Sequence, residues 1–399
     1  MSRGNGKPLS AGWLIAALFI ASLNLRPAIS SVSPVLDLIR SDLGMNASAA
    51  SLLTSIPVLC MAVLSPISAG LGSRFGQERV IGWSLVLIGA GTLLRLAAFS
   101  PPLLLSTACL TGIGIAVMGP LLSGIIKKAG PRNAPMMTAV YAMALSSGAA
   151  LGAGLSAPVQ SKLHSWQTAL ALWALLALAA VPVWFGAIGR QAEEPSKPAV
   201  GPPVQKLPWS NAKAWLLTIH FGLMALVFYS LLAWLPPMLQ SAGASRLYAG
   251  TLFTVFSVIQ IPSGWILQML LRRYPSRLTW LLAASILVLA GLILIVCPAC
   301  LWLAVLICGL GSGMLFALGT LLPIDAASNP REAVSWAAMT QSAGYLIAAA
   351  GPIWVGWTHD ASLSFGEAEL GLIAVMLALM IVQCRIVRQS AKPAVRSAA

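Results

Sequence analysis

Charged residues are rare in this 399-residue sequence. Asp, Glu, Lys and Arg together make up 9% of it, whereas soluble domains carry about a quarter. Hydrophobic residues make up 58%. This composition excludes a soluble globular protein and predicts one built largely within a lipid bilayer. The 24 Lys and Arg against 10 Asp and Glu do not indicate nucleic-acid binding, because the basic surplus lies in short loops between apolar runs.

Acidic residues are missing from the interior of the apolar runs. The ten acids lie in loops or at the ends of runs: Asp37, Asp42, Glu78, Glu193, Glu194, Asp325, Glu332, Asp360, Glu367 and Glu369. Proton-driven exporters of cationic drugs commonly place a carboxylate inside the membrane. Its absence from this sequence argues against a cationic-drug antiporter.

Catalytic and metal-binding patterns are also missing. The six cysteines form neither a metal pattern nor a disulfide framework, and for Cys297 and Cys300, which have CxxC spacing, we favour a plain apolar role. The sequence shows no P-loop and no nucleophile with a histidine and acid partner. We therefore predict no enzymatic activity, no metal and no cofactor.

Long apolar runs dominate the sequence instead. A membrane-spanning helix needs about 20 such residues. Twelve runs qualify, at 12–35, 48–71, 80–98, 102–126, 135–158, 167–189, 212–236, 247–270, 279–297, 301–323, 335–357 and 367–387. The first follows Arg3 and Lys7 as a signal peptide would, but it is too long for one and is read as a retained span. The sequence thus predicts an all-α membrane protein with twelve transmembrane helices.

The basic residues predict the orientation. Because the number of spans is even, both termini lie on one side, and nineteen basic residues fall there: Arg3, Lys7, Arg74, Arg79, Lys127, Lys128, Arg132, Arg190, Lys197, Lys206, Lys213, Arg272, Arg273, Arg277, Arg331, Arg385, Arg388, Lys392 and Arg396. The opposite side has only three: Arg40, Lys162 and Arg246. By the positive-inside rule we expect both termini in the cytoplasm.

The chain reads as two related halves. A polar, proline-rich stretch at 191–211 is predicted as a cytoplasmic linker between a bundle of six helices at 1–190 and another at 212–399. Motifs recur about 195 to 200 residues apart: Arg74 and Arg79 with Arg272 and Arg277, Gly112 and Gly114 with Gly309 and Gly311, and Gly148 with Gly344. Two pseudo-symmetric bundles suit transport by alternating access.

Three motifs carry a family resemblance. They are Asn24-Leu25-Arg26-Pro27, Ala233-Trp234-Leu235-Pro236 and Gln341-Ser342-Ala343-Gly344-Tyr345. With the two six-span halves, they resemble the major facilitator superfamily and, within it, the bacterial cyanate permease and nitroimidazole exporter family. The resemblance implies a monomeric inner-membrane transporter of a small anion or polar organic compound. Ser73 stands where the superfamily's loop motif usually has an aspartate.

Arg26 is the leading candidate for substrate binding. It sits near the middle of the first span, where an isolated charge costs at least about 2.5–3.5 kcal/mol, and Pro27 loosens the helix beside it. Its guanidinium is suited to bind an anion, since no acid lies deep in any span. The alternative is a structural arginine that binds carbonyls freed near Pro27. Arg95, near the end of the third span, can extend to the membrane interface, and we favour a structural role for it over a functional one.

Further candidates are polar or aromatic residues within the spans. His220 is positioned to take up a proton together with an anion, or else is a hydrogen-bonded packing residue. The other candidates for contact with substrate are Gln341, Tyr345, Tyr141, Gln260, Tyr229 and Asn24. Asn24 also suits a helix-to-helix hydrogen bond, and the aromatic residues suit packing.

Acidic residues near the cytoplasmic end of the tenth span suggest a gate. A carboxylate at a helix C-terminus is disfavoured by the helix dipole, so Asp325 needs a basic partner. We expect Arg74, Arg79 or Arg132 to pair with Asp325 or Glu332 when the cytoplasmic gate is closed.

Two other functions compete with the selective transporter. A broad exporter of hydrophobic drugs would use Met118, Met143, Met224 and Met314 as an adaptable lining. A membrane enzyme or sensor is the remaining class, and no motif supports it.

Overall fold

The protein is helical throughout the part of the chain that the structure describes. This computed structural model covers residues 11–128, 130–187, 207–297, 300–326 and 330–390. The helices are α1 (Ala11–Leu23), α2 (Pro27–Ser30), α3 (Leu36–Leu43), α4 (Ala47–Phe75), α5 (Gln77–Leu93), α6 (Pro101–Lys128), α7 (Gly130–Leu163), α8 (Trp166–Ala171), α9 (Ala174–Ala187), α10 (Ala212–Ser241), α11 (Arg246–Val258), α12 (Gln260–Arg273), α13 (Arg277–Val296), α14 (Leu301–Ala326), α15 (Pro330–Ser362) and α16 (Gly366–Ser390). Short 3₁₀ turns occupy Ser33–Val35 and Leu94–Ala97.

All twelve predicted spans fall on these helices. Eleven helical stretches among the described residues are long and apolar enough to cross a membrane. The remaining predicted span, 335–357, lies within α15, which has 33 residues and is therefore also long enough. Three spans are interrupted: the first at 24–26, the sixth at 172–173 and the eighth at Ile259.

Local capping explains where several helices begin. Ser165, Asn211, Ser245 and Ser276 each accept a hydrogen bond from a backbone N–H in the first turn of the following helix. Such caps satisfy donors that have no partner inside the helix. Gly76, with φ of 88°, makes the reversal between α4 and α5 that a side chain would strain.

The chain forms two compact units. Unit 1 comprises Met1–Met45 and Leu52–Val204, and unit 2 comprises Asn46–Ser51 and Gln205–Ala399. The predicted linker at 191–211 lies outside the described residues as far as residue 206.

Unit 1 is organised around α5, α7 and α9. Helix α5 packs against α6 and α9, whereas α1 and α2 pack against α7, and α1 also contacts α9. The core is apolar, with Leu18, Ile29 and Trp184 among its largest fully buried side chains.

Unit 2 repeats this arrangement. Helix α13 packs against α14 and α16, and α10 packs against α15 and α16. The same spans pack against each other in both units when six is added to each span number. In unit 1 the third span packs against the fourth and sixth, and the first against the fifth and sixth. In unit 2 the ninth span packs against the tenth and twelfth, and the seventh against the eleventh and twelfth.

Glycine contacts repeat at the level of single residues. A Cβ on Gly112 would lie 2.7 Å from Cα of Pro57 in the second span, and one on Gly309 would lie 2.6 Å from the carbonyl of Phe256 in the eighth. Likewise Gly114 and Gly311 pack against the third and ninth spans. The recurring glycines therefore mark matching close contacts between helices.

Unit 2 includes the start of α4. The carboxylate of Asp360 accepts hydrogen bonds from the backbone N–H of Ala47 at 2.7 Å and of Ser48 at 2.8 Å, and from the Ser48 hydroxyl at 2.6 Å. A carboxylate at a helix N-terminus satisfies free donors and interacts favourably with the dipole. Asp360 thus caps a helix of 29 residues.

Candidate substrate site

The break in the first span holds Arg26. Helix α1 ends at Leu23 and α2 begins at Pro27, which has no N–H to continue the helical ladder. The intervening residues form tighter turn bonds, from Asn24 N–H to the Ala21 carbonyl and from Leu25 N–H to the Ser22 carbonyl, both 3.1 Å. Arg26 is half-buried, whereas its neighbours in the break are buried. The prediction that Pro27 loosens the helix at the charge is confirmed.

Ser22, Ser30 and Ser33 are spaced about one helical turn apart around Arg26 and form a polar stripe beside it. Ser22, Ser30 and Ser33 are all buried, and the Ser30 hydroxyl donates to the Arg26 carbonyl at 3.2 Å. Serine hydroxyls that bind carbonyls of the preceding turn often bend helices. The stripe therefore supports the local geometry that holds Arg26.

Two glycines of α7 accommodate the break. A Cβ at Gly148 would lie 2.4 Å from the Leu23 carbonyl oxygen, and one at Gly152 would lie 2.3 Å from the Ser30 hydroxyl. Both distances are shorter than any van der Waals contact. The Gly148-x₃-Gly152 pattern thus brings α7 directly against the segment that presents Arg26.

Asn24 faces another helix. Its amide donates to the Ile20 carbonyl at 2.8 Å and to the Leu176 carbonyl in α9 at 3.5 Å. The side chain is 3% exposed. These contacts support the helix-to-helix bond, although a role in substrate binding stays a prediction.

Arg95 does not extend to the membrane interface, although its position in the sequence allows it. Its side chain is 1% exposed. Its Nη2 donates to the Ala28 carbonyl in α2 at 2.9 Å. The 3₁₀ turn after α5 instead directs this side chain into unit 1, so Arg95 has the carbonyl-binding role considered for Arg26.

His220 lies in a buried polar cluster of unit 2. Gln383 Nε2 is 3.4 Å from His220 Nε2 and donates to the Ser285 hydroxyl at 2.9 Å, and all three residues are 0% exposed. His220 Nδ1 has no hydrogen-bond partner among the described residues. No sequence pattern pointed to Gln383, because only the packing of α10 against α16 brings it to His220.

Aromatic residues surround the candidates on α10 and α15. Tyr345 makes edge contacts with Phe221 at 5.3 Å and with Tyr229 at 6.2 Å between ring centroids. Tyr229 is fully buried, and its hydroxyl has no partner within the described part of the chain. Gln341 is half-buried one turn before Tyr345. The structure thus brings Tyr229 and Tyr345 together on facing helices.

The two remaining candidates lie apart from this group. Tyr141 is half-buried in unit 1, and its hydroxyl is 3.9 Å from the position of a Cβ on Gly119. Gln260 begins α12 at the break in the eighth span and donates to the Phe256 carbonyl at 3.1 Å. Gln260 therefore stabilises a helix interruption with its own amide group.

The predicted gate residues have local contacts. Asp325 forms an ion pair with Arg277 of unit 2, which supplies the basic partner expected at this helix end. The guanidinium of Arg74 lies 5.3 Å from the Phe75 ring centroid, and Arg79 is exposed. Glu332 lies on α15, but its side chain and that of Arg132 are outside the described part. Pairing of Arg74 or Arg79 with Asp325 or Glu332 stays a prediction.

The methionines considered for a drug-binding lining are mostly core residues. Met118, Met224 and Met314 are no more than 3% exposed, whereas Met143 is exposed. A cavity in unit 2 beside Met224 and Phe316 measures about 10 Å³. That volume admits about one water molecule. No observation here favours the broad drug exporter.

The membrane-length helices and the doubled helical unit define the class as a multi-pass helical membrane protein. The family model described as Major Facilitator Superfamily matches residues 10–352, and the chain belongs to this superfamily. Solved structures agree in fold: the nucleoside transporter NupG matches with a TM-score of 0.75 at 11% identity, covering 94% of this chain and 99% of that one. A bacterial homologue of the human lysosomal transporter Spinster has a TM-score of 0.72 at 16% identity, covering 98% and 100%.

Curated relatives resemble the chain over most of its length. An uncharacterised transporter of Bacillus subtilis, YycB, is 33% identical over 95% of this chain and 94% of its own. The 2-nitroimidazole transporter of Escherichia coli is 30% identical over 92% and 93%. The cyanate transport protein CynX of Escherichia coli is 31% identical over 86% and 89%. The family resemblance seen in the three motifs is confirmed, and the chain is a transporter of a small molecule rather than an enzyme.

Proposed function

We propose that this protein is a secondary transporter that moves a small anion or polar organic compound by alternating access, with Arg26 binding the substrate. The observation that carries the proposal is the position of Arg26. It is a cation within a membrane span, at a helix break, and it stays half-buried where its neighbours are buried. Charged residues inside membrane spans commonly mark substrate pathways.

The relatives support the class of substrate. Their names include cyanate and 2-nitroimidazole. Cyanate is a small anion and a nitroimidazole carries a nitro group with two oxygens, so both offer acceptors to a planar guanidinium. Compounds of these two kinds are therefore the first probes.

Purified protein in proteoliposomes provides the test of Arg26. We expect wild-type protein to transport labelled cyanate or 2-nitroimidazole, the Arg26→Lys variant to transport it with weaker apparent affinity, and the Arg26→Ala variant to lose transport. Losing a charged hydrogen-bonding partner costs about 1.5–3 kcal/mol, or roughly 10- to 150-fold in affinity. Unchanged transport by a folded Arg26→Ala protein would remove Arg26 from the site.

Coupling to protons is the second part of the proposal, with His220 as the proton carrier. Its unpartnered Nδ1 within a sealed polar cluster supports this role. His220→Gln keeps one hydrogen-bonding group towards Gln383 but cannot take up a proton. We expect this variant to exchange substrate between equal pools normally and to lose accumulation driven by a pH gradient. If it also accumulates substrate normally, His220 is a packing residue.

Other candidates form the rest of the proposed site. Gln341, Tyr345 and Tyr229 would contact substrate from unit 2, and Asn24, Tyr141 and Gln260 would do so more weakly, since Asn24 and Gln260 already bind carbonyls.

For the gate, we propose Arg74 and Arg79 with Asp325 and Glu332. We also propose that the protein acts as a monomer.

We propose that both termini lie in the cytoplasm of a bacterial cell. Cys297 and Cys300 are exposed free thiols in the loop between α13 and α14, which would then face outward. A membrane-impermeant maleimide added to intact cells should label them, and a Cys297→Ser/Cys300→Ser protein should not be labelled. If this pair is labelled only after lysis, the orientation is the opposite of the proposed one.

A further inference from the structure

Arg95 is a buried cation with spare hydrogen-bonding capacity. One guanidinium nitrogen, Nη2, donates to the Ala28 carbonyl at 2.9 Å. Nε and Nη1 have no hydrogen-bond partner in the described residues, and the side chain is 1% exposed. A guanidinium carries five N–H donors, so most donors of Arg95 have no acceptor among the residues that the structure describes.

The acids of unit 1 that the structure describes do not neutralise this charge. Asp37 lies 3.7 Å from Arg40, and the Asp42 carboxylate accepts from the Trp166 indole at 2.8 Å. Glu78 sits in the first turn of α5, a helix of 17 residues that separates it from Arg95 by roughly 25 Å at 1.5 Å per residue. A buried charge is costly unless it is paired, and the described acids of unit 1 leave Arg95 without a carboxylate partner, so an anion from solution is a candidate counter-ion.

A second polar group points to the same location. The hydroxyl of Ser31 is 0% exposed and also lacks a partner among the described residues. Ser31 follows Ala28 by three residues, which places both on one face of the helical turn. An unpaired guanidinium and an unpaired hydroxyl therefore flank the same short segment.

We propose that Arg95 and Ser31 bind a small inorganic anion of halide size inside unit 1, at a site separate from Arg26. The anion would accept from the free guanidinium nitrogens and the hydroxyl, while Nη2 stays on the Ala28 carbonyl. Because Arg95 is almost completely buried, the site suits a small ion that remains bound rather than a transported organic molecule. Its occupancy would help to keep α2 in place beside Arg26.

Thermal unfolding of purified full-length protein tests the site. The protein is transferred to gluconate buffer, and sodium chloride or bromide replaces gluconate at constant ionic strength. A ligand that binds the folded state raises the unfolding midpoint in a saturable way. We expect this rise in wild type and in Arg26→Met, its loss in Arg95→Met, and roughly tenfold weaker apparent affinity in Ser31→Ala, which loses one hydrogen bond to a charge.

The controls separate this site from the substrate site. A halide response that survives in Arg95→Met but disappears in Arg26→Met would overturn this proposal and support an anion at Arg26. No saturable response in wild type would also overturn it, since water would then satisfy the guanidinium. If Arg95→Met does not fold, anomalous scattering from bromide in crystals of wild type decides: a peak beside Arg95 is expected, and its absence refutes the site.

Discussion

Gly148 and Gly152 should differ in how their replacement by alanine is tolerated. At Gly148 the new methyl group would lie 2.4 Å from the backbone oxygen of Leu23, which cannot move without shifting the break. At Gly152 it would lie 2.3 Å from the Ser30 hydroxyl, which can rotate away after losing its bond to the Arg26 carbonyl. Both changes overpack the contact. At Gly152 the hydroxyl can yield, and the nearest backbone contact, with the Pro27 Cα at 3.1 Å, requires a shift of only a few tenths of an ångström.

The expected magnitudes follow from these contacts. Overpacking a tight contact costs about 1–3 kcal/mol, and we place Gly148→Ala near the upper end. Gly152→Ala should cost about 1–2 kcal/mol, of which a lost hydrogen bond accounts for about 1 kcal/mol. Gly186→Ala is the matched control, since nothing lies within 4 Å of its Cβ position, and it should be neutral or slightly stabilising.

A double-mutant cycle sharpens this prediction. Ser30→Ala removes the atom that the Gly152 methyl group would strike, so Gly152→Ala should be less costly in the Ser30→Ala background. The same background should not relieve Gly148→Ala. Thermal unfolding gives the stability changes, and proteoliposome transport shows whether Arg26 has been displaced. If Gly148→Ala matched Gly186→Ala in both assays, the proposed close contact with the break would be refuted.

Two further predictions concern acidic residues. Asp360→Asn should lower the free energy of unfolding by about 1 kcal/mol, because the charge at the start of α4 is lost. Ser48→Ala should remove only one of the hydrogen bonds that Asp360 accepts. Equal stability of Asp360→Asn and wild type in a thermal melt would contradict this capping role. Asp325→Asn should change stability by less than about 1 kcal/mol, because its pair with Arg277 is solvent-exposed, so a large loss of transport without a loss of stability would point to a gating role instead.

The sequence predicted the helices well because each depends on one strong local signal. An apolar run of the right length specifies a membrane span, and every predicted span falls on one helix or on consecutive helices separated by a short break. The break at Arg26 was also predictable, since Pro27 removes a backbone donor at a known position. The repeat was visible because close helix contacts require glycine at matching places, such as Gly112 and Gly309.

The contacts of polar side chains were not predictable in the same way. Arg95 lies near a span end, where sequence position favours the membrane interface. The direction of its side chain depends on a 3₁₀ turn that the sequence pattern does not predict. His220 and Gln383 are 163 residues apart, so only the packing of two helices reveals their contact. Asp325 needed a basic partner, and the sequence suggested Arg74, Arg79 or Arg132, whereas the structure pairs it with Arg277, which the sequence did not indicate.

The break in the first span makes two residues on different helices depend on each other. Pro27 cannot donate to the Leu23 carbonyl, and the backbone of Gly148 covers that oxygen at close range. A hydrogen on the Gly148 Cα occupies the direction of the missing Cβ, and Cα–H groups are weak donors to carbonyl oxygens. Any side chain at residue 148 would push α7 away and open the carbonyl to lipid or water. Proline and glycine therefore act here as a matched pair: one residue exposes a polar backbone atom inside the membrane, and the other shields it.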